Sequence, residues 1–160
     1  MPVVRLYVPL GGATLREIAA TGVLRAGVAA PVEAYAVTDE LTALLPGLDQ
    51  EALEYTAFLD AVAVSATFRE HRGDRRLVIA ADADPEAVQP GSRTPSAVRL
   101  VDTLPVSRIA SLHVGEVAPL AGRTPTDPDE PLLWYDVTEL GEVAALFPAA
   151  GARPGRGAHG

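Results

Sequence analysis

The sequence contains no cysteine, which excludes disulfide bonds, thiolate metal sites and cysteine nucleophiles. It also has no apolar run near the ~18 residues that a membrane-spanning helix needs, and no signal-type apolar segment. Lysine and asparagine are absent as well, so every basic side chain other than histidine is arginine. Because lysine and asparagine codons are A-rich, this composition indicates a GC-rich genome. We expect a cytoplasmic protein that does not bind membranes.

The charge balance is acidic, with 13 arginines against 21 acidic residues and a net charge of -8. Proteins that bind the phosphate backbone of nucleic acids rely on clustered cations, so we expect no nucleic-acid partner. An acidic surface keeps a protein soluble and can also serve as a docking surface for another protein. Both interpretations stay open at this point.

A hydrophobic fraction of 48% with 21% charged residues is typical of a globular protein. The length of 160 residues fits one core. We therefore predict a single domain over residues 1–147. The alanine-, glycine-, proline- and arginine-rich stretch 148–160 cannot bury enough surface to offset its ordering entropy, which predicts a disordered tail.

The hydrophobic pattern alternates between strands and helices in the first half of the chain and gives successive strands in the second half. Strands are predicted at 3–10, 32–37, 76–81, 98–101, 112–114 and 132–137. The first helix is predicted to follow a capping box at Thr14 and Glu17, the second covers 39–45 and the third runs from 50 to about His71. A final helix ends at Phe147, and residues 85–96 are predicted to form a loop.

This order predicts an α/β domain in which a mixed β-sheet of about five or six strands packs with about four helices. The alternative is an α+β ferredoxin-like two-layer sandwich.

Asp82 and Asp84 flank the end of a buried strand, where open α/β sheets place their ligands. Two carboxylates there predict a possible magnesium site. Their spacing resembles the first motif of haloacid-dehalogenase phosphatases, although Glu86 stands where that family has threonine or valine. The competing interpretation is a turn, because aspartate side chains bond their own backbone N–H groups.

Two further residues are candidates for catalysis. His113 lies in an apolar strand, where its imidazole could act as a general base or a ligand, or could simply bond a backbone carbonyl. Asp136 is a candidate acid and, with Glu139, also a candidate helix cap. His71 and His159 give no metal-ligand spacing with His113.

Five residues are candidates for binding. Tyr35, Glu54 and Tyr55 could form a polar cluster, and Trp134 with Tyr135 provides two amphipathic rings that suit an interface if they are exposed. The alternative for each ring is packing in the core.

Six segments occur together in a distinctive order: Arg5-Leu6-Tyr7-Val8-Pro9, Ala34-Tyr35-Ala36-Val37-Thr38, Glu54-Tyr55-Thr56-Ala57, Arg76-Leu77-Val78-Ile79-Ala80-Ala81-Asp82, Leu112-His113-Val114 and Trp134-Tyr135-Asp136-Val137-Thr138-Glu139-Leu140. Through these segments the chain resembles a family of uncharacterised actinobacterial proteins that is catalogued as a domain of unknown function. The resemblance implies an actinobacterial cytosolic protein and brings no substrate, cofactor or catalytic residue.

The sequence favours an interaction or regulatory domain without catalysis or cofactor, with a protein partner or a second copy of the chain. The alternative is a small enzyme that acts on a phosphorylated small molecule with Mg²⁺ held by Asp82 and Asp84. Convergence of Tyr35, Glu54, Asp82, His113 and Asp136 on one concave surface would favour an enzyme or a ligand-binding domain.

Overall fold

The computed structural model of the protein describes residues 2–69, 74–115 and 132–147. The strands in these ranges are β1 (Val4–Pro9), β2 (Val23–Leu24), β3 (Val32–Tyr35), β4 (Leu77–Ala83), β5 (Val88–Pro90), β6 (Ala97–Leu100), β7 (Leu104–Pro105), β8 (Ile109–Gly115) and β9 (Leu132–Asp136). The helices are α1 (Gly12–Thr21), α2 (Asp39–Leu44), α3 (Gln50–Ser65) and α4 (Leu140–Ala144). His71, His159 and the predicted tail lie outside the described residues.

Seven of these strands form one sheet in the order β5-β6-β3-β1-β4-β8-β9, while β2 and β7 form a small ribbon. The predicted α/β class, a single domain with four helices, is confirmed. The sheet differs in detail from the predicted mixed one, because it has seven strands and every adjacent pair is antiparallel. Strands β3 and β4, which α2 and α3 connect, are parallel to each other, but β1 is inserted between them.

The alternation of β1 shows how the two faces of the sheet are used. Leu6 and Val8 point into the larger core, which α1 and α4 cover. Tyr7 points to the opposite face, where it joins a smaller core with Ala57 and Ala61 of α3. Because helices lie on both faces, the chain forms three layers instead of the two of the ferredoxin-like alternative.

Several helix boundaries follow their local signals, and one does not. Thr38 and Asp49 cap α2 and α3 through hydrogen bonds to backbone N–H groups, and Gly22 ends α1 with φ of 78°. The predicted cap at Thr14 is wrong, because α1 begins at Gly12 and Thr14 lies inside the helix.

Helix α3 ends at Ser65, earlier than predicted, and one turn of 3-10 helix follows it to Phe68. The buried Arg76 guanidinium contacts this end of the helix: its Nε donates to Ser65 Oγ at 3.1 Å and its Nη2 donates to the Val62 carbonyl at 3.2 Å. These bonds occupy polar groups of the last turn and tie the helix to the start of β4. No described helix is long and apolar enough to cross a membrane.

Gly12 is required where α1 begins, because the side chain of Phe147 approaches its backbone closely. A Cβ atom at this position would lie 2.7 Å from Phe147 Cβ. We expect Gly12→Ala to lower the free energy of unfolding by about 1–2 kcal/mol, since overpacking outweighs the helix propensity of alanine. Chemical denaturation measures this change.

Gly141 in α4 provides the matched control, because nothing beyond its chain neighbours and its own helix backbone lies within 4 Å of a Cβ atom placed there. We expect Gly141→Ala to stabilise the protein by about 0.5 kcal/mol through helix propensity alone. Equal effects of the two substitutions would show that the contact with Phe147 does not constrain residue 12.

Candidate functional site

A groove of about 810 Å³ lies between α3 and the β8–β9 side of the sheet. It arises because α3 packs mainly over β3, β1 and β4, which leaves the outer strands of the same face uncovered. The side chains of Tyr7, Ala80, Ser111 and His113 form its floor. Its walls come from α3 and β9; we call it the α3–β9 groove.

The register of the sheet places the floor residues side by side. Tyr7 of β1 lies opposite Ala80 of β4, and Ala80 lies opposite Ser111 of β8. His113, two residues further along β8, lies opposite Trp134 of β9. Residues two apart in a strand share a face, so Ser111 and His113 both point into the α3–β9 groove.

Phe58 of α3 is the centre of an aromatic cluster in this groove. Its ring centroid lies 4.9 Å from that of His113, 5.6 Å from that of Tyr7 and 6.2 Å from that of Tyr55. The Phe58–Tyr7 pair is edge to face, at an interplanar angle of 71°. These separations fall in the range of favourable ring contacts and fix the shape of the floor.

Large apolar side chains remain exposed on both walls. Tyr55 and Leu59 of α3 are 60% and 44% exposed, and Trp134 of β9 is 64% exposed. Single exposed apolar residues are common, but here three of them border one concavity whose floor is aromatic. The α3–β9 groove therefore offers an apolar surface that a bound molecule would remove from water.

His113 and Ser111 are in contact at the floor, with Ser111 Oγ 2.9 Å from His113 Nε2. Burial, and to a lesser extent the nearby Arg5 cation, lowers the pKa of His113 to about 4. The imidazole is therefore neutral at neutral pH. A serine nucleophile would need this ring to become an imidazolium, which burial and Arg5 both oppose. The pair is thus better suited to hydrogen bonding than to nucleophilic catalysis.

The Arg5 cation at one end of the α3–β9 groove is paired with Asp82. Arg5 Nε donates to Asp82 Oδ1 at 2.7 Å, and Nη2 donates to Oδ2 at 3.4 Å. The carboxylate raises the pKa of Arg5, although burial works in the opposite direction. Charge at this end of the groove is therefore largely compensated within the protein.

The two carboxylates of the predicted magnesium site have different ion-pair partners. Asp82 bonds toward β1, while Asp84 forms an ion pair with Arg108, in the turn before β8, at 3.3 Å. Within the described ranges, no group of three histidine or acidic residues is arranged to hold a metal ion. Each carboxylate thus has its own cationic partner within the protein.

Three carboxylates also belong to the α3–β9 groove. Asp49, Glu51 and Glu54, at and near the start of α3, line it. Burial raises the pKa of Tyr7, and the negative charge of Glu54 adds to this effect. Glu54 is therefore close enough to the aromatic floor to influence it electrostatically.

The structure brings four of the predicted site residues together. His113, Glu54, Tyr55 and Trp134 all line the α3–β9 groove, and Asp82 adjoins it through Arg5.

Besides Asp84, three predicted site residues lie outside the α3–β9 groove. Tyr35 is fully buried beneath α3, and its hydroxyl donates to Glu33 Oε2 at 2.8 Å, so its ring does not line the groove. Tyr135 packs against the larger core on the opposite face. Asp136 caps the turn after β9, and its bonds to Thr138 lower its pKa.

The sequence interpretation missed Arg5, Tyr7, Phe58 and Ser111 as site residues. Arg5 and Tyr7, like Ser111 and His113, are spaced two apart, which in a strand places each pair on one face. That spacing was a usable signal. Phe58 offered none, because its helical spacing matches that of core residues.

A family model matches residues 4–144 and is described as a family of unknown function, DUF6912. The chain belongs to this family. All residues named as lining the α3–β9 groove fall inside the matched DUF6912 range, whereas Phe147 lies just beyond it. Comparison with curated proteins found no match, and neither did comparison with solved structures.

Proposed function

We propose that this protein is a regulatory domain that binds a ligand without transforming it, and that the α3–β9 groove is its binding site. The observation that carries the proposal is the aromatic concavity with exposed Tyr55 and Trp134 on facing walls. Its volume of about 810 Å³ falls within the range of small-molecule sites, which are mostly apolar with a few polar groups.

The polar groups in the groove support binding more than catalysis. Ser111 and His113 offer a hydroxyl and a neutral imidazole, which can orient a ligand by hydrogen bonds. The same imidazole is a poor proton acceptor because its charged form is disfavoured. We also propose a cytosolic location and an actinobacterial source for the protein, on the basis of its composition and its family resemblance.

The first test uses 2-phenylethanol, a neutral probe with an aromatic body. We expect backbone amide shifts to cluster on α3, β8 and β9 in a ¹H–¹⁵N NMR titration, with a dissociation constant in the millimolar range because so small a molecule forms few contacts. Trp134→Ala should weaken binding about fivefold or more, since an exposed aromatic wall is lost. Trp134 is the only tryptophan, so its fluorescence provides a second readout.

Leu44→Ala is the matched control, because Leu44 is also an exposed apolar residue but belongs to α2, outside the groove. This variant should bind the probe like the wild type. Shifts that cluster away from the α3–β9 groove, or the absence of any saturable shift, would contradict the proposal. If a partner protein or a second copy of the chain occupies the groove instead, the protein should associate in a concentration-dependent way, and Trp134→Ala should abolish this association.

A further inference from the structure

We infer that the α3–β9 groove selects a small amphipathic amine, in which a protonated nitrogen is attached to an aromatic or other apolar body. This inference rests on the proposed function and adds the charge of the ligand. It follows from the rings on the walls and floor, from the distribution of fixed charges and from the size of the groove.

The rings provide the first argument. Tyr7, Tyr55, Phe58 and Trp134 surround the same space, and the faces of aromatic rings carry partial negative charge. A cation within about 6 Å of such faces is attracted to them, most strongly by tryptophan. The rings therefore favour a cationic ligand over an anionic one with the same body.

The fixed charges agree with the rings. Arg5 is the cation among the groove-lining residues that the structure describes, and Asp82 compensates its charge at 2.7 Å. His113 adds no positive charge at neutral pH. The net field in the α3–β9 groove is therefore set by carboxylates.

Glu54 is the principal carboxylate. Asp49 caps α3 through a bond from Ala52 N, and Glu51 lies in the first turn, so the positive end of the helix dipole offsets both charges in part. Glu54 lies beyond that turn, so the helix dipole does not offset its charge in the same way. Its charge acts on Tyr7 and on Arg5, whose guanidinium is already paired with Asp82. Glu54 is the residue expected to pair with the ligand nitrogen.

The test compares three probes that share a phenyl body: phenethylamine, which is cationic at neutral pH, the neutral 2-phenylethanol, and the anionic 3-phenylpropionate. Quenching of Trp134 fluorescence and amide shifts report binding. We expect the amine to bind about fivefold more tightly than the alcohol and more than about tenfold more tightly than the carboxylate at low ionic strength. Added salt should reduce these ratios.

Glu54→Gln should remove most of the advantage of the amine while leaving binding of the alcohol unchanged. Glu142→Gln, an exposed glutamate on α4 across the sheet, is the matched control and should change neither. Equal binding of amine and alcohol, or a preference for the carboxylate, would overturn the charge inference while the proposed groove stands. Failure of all three probes to bind would overturn the proposed function itself.

Discussion

Replacing Phe147 with alanine is expected to lower the free energy of unfolding by about 3–5 kcal/mol. Phe147 is 2% exposed and belongs to the larger core, where α1 and α4 meet over the sheet. Its Cβ and ring approach Gly12, which has no side chain to fill the space left behind. The loss therefore includes both the transfer of the ring to water and a residual cavity.

Leu146→Ala is the matched control for this prediction, because Leu146 is adjacent in sequence but 38% exposed. It should cost less than about 1 kcal/mol in the same denaturant titration. The carbonyl of residue 147 still accepts the bond from Arg16 Nη1 in both variants, which separates ring packing from this backbone anchor. Comparable losses for the two variants would mean that the backbone contact with Arg16 alone holds the segment around residue 147.

Local sequence signals predicted many helix and strand positions, but they could not predict how the strands pair. Thr38, Asp49 and the Asp136–Glu139 capping box act within three residues of their own position, so the sequence alone located them. The antiparallel insertion of β1 between β3 and β4 depends on contacts between residues 28 to 79 positions apart in the chain, which no local pattern encodes. Strand β5 was predicted as loop because Pro90 ends it, yet an edge strand tolerates that proline.

The sequence allowed several residues of the candidate site to be predicted, but not that they would converge in one groove. Glu54, Tyr55, His113 and Trp134 stood out by their chemistry, whereas their convergence follows from β8 and β9 lying beside β4 and beyond the reach of α3. Tyr35 has the same chemistry as Tyr55, but its strand passes beneath α3 and buries it. The two tyrosines differ in exposure because α3 covers Tyr35, and no periodicity in the sequence predicts that contact.

The stability of the wild type is expected to fall by about 2 kcal/mol as the pH is lowered from about 7 to 4 because of His113 alone. Burial, followed by the Arg5 cation, lowers the pKa of His113 in the folded protein to about 4, against an ordinary value of 6.5. Between these values the unfolded chain binds a proton that the folded protein does not. The stabilisation is thus fully present above about pH 6.5 and is lost as the pH falls to about 4. The magnitude allows for partial solvent screening at the open groove.

His113→Gln isolates this contribution, because glutamine can still bond Ser111 but does not titrate. His71, His159 and every carboxylate remain in both proteins, so their own protonation cancels in the difference between the two stability profiles. As the pH falls below 6.5, the wild type should lose free energy of unfolding relative to His113→Gln. The difference in free energy of unfolding between the two proteins should become constant below about pH 4. Parallel profiles across this range, or an NMR titration of His113 near pH 6.5, would contradict a neutral imidazole in the groove and remove one support for its preference for cations.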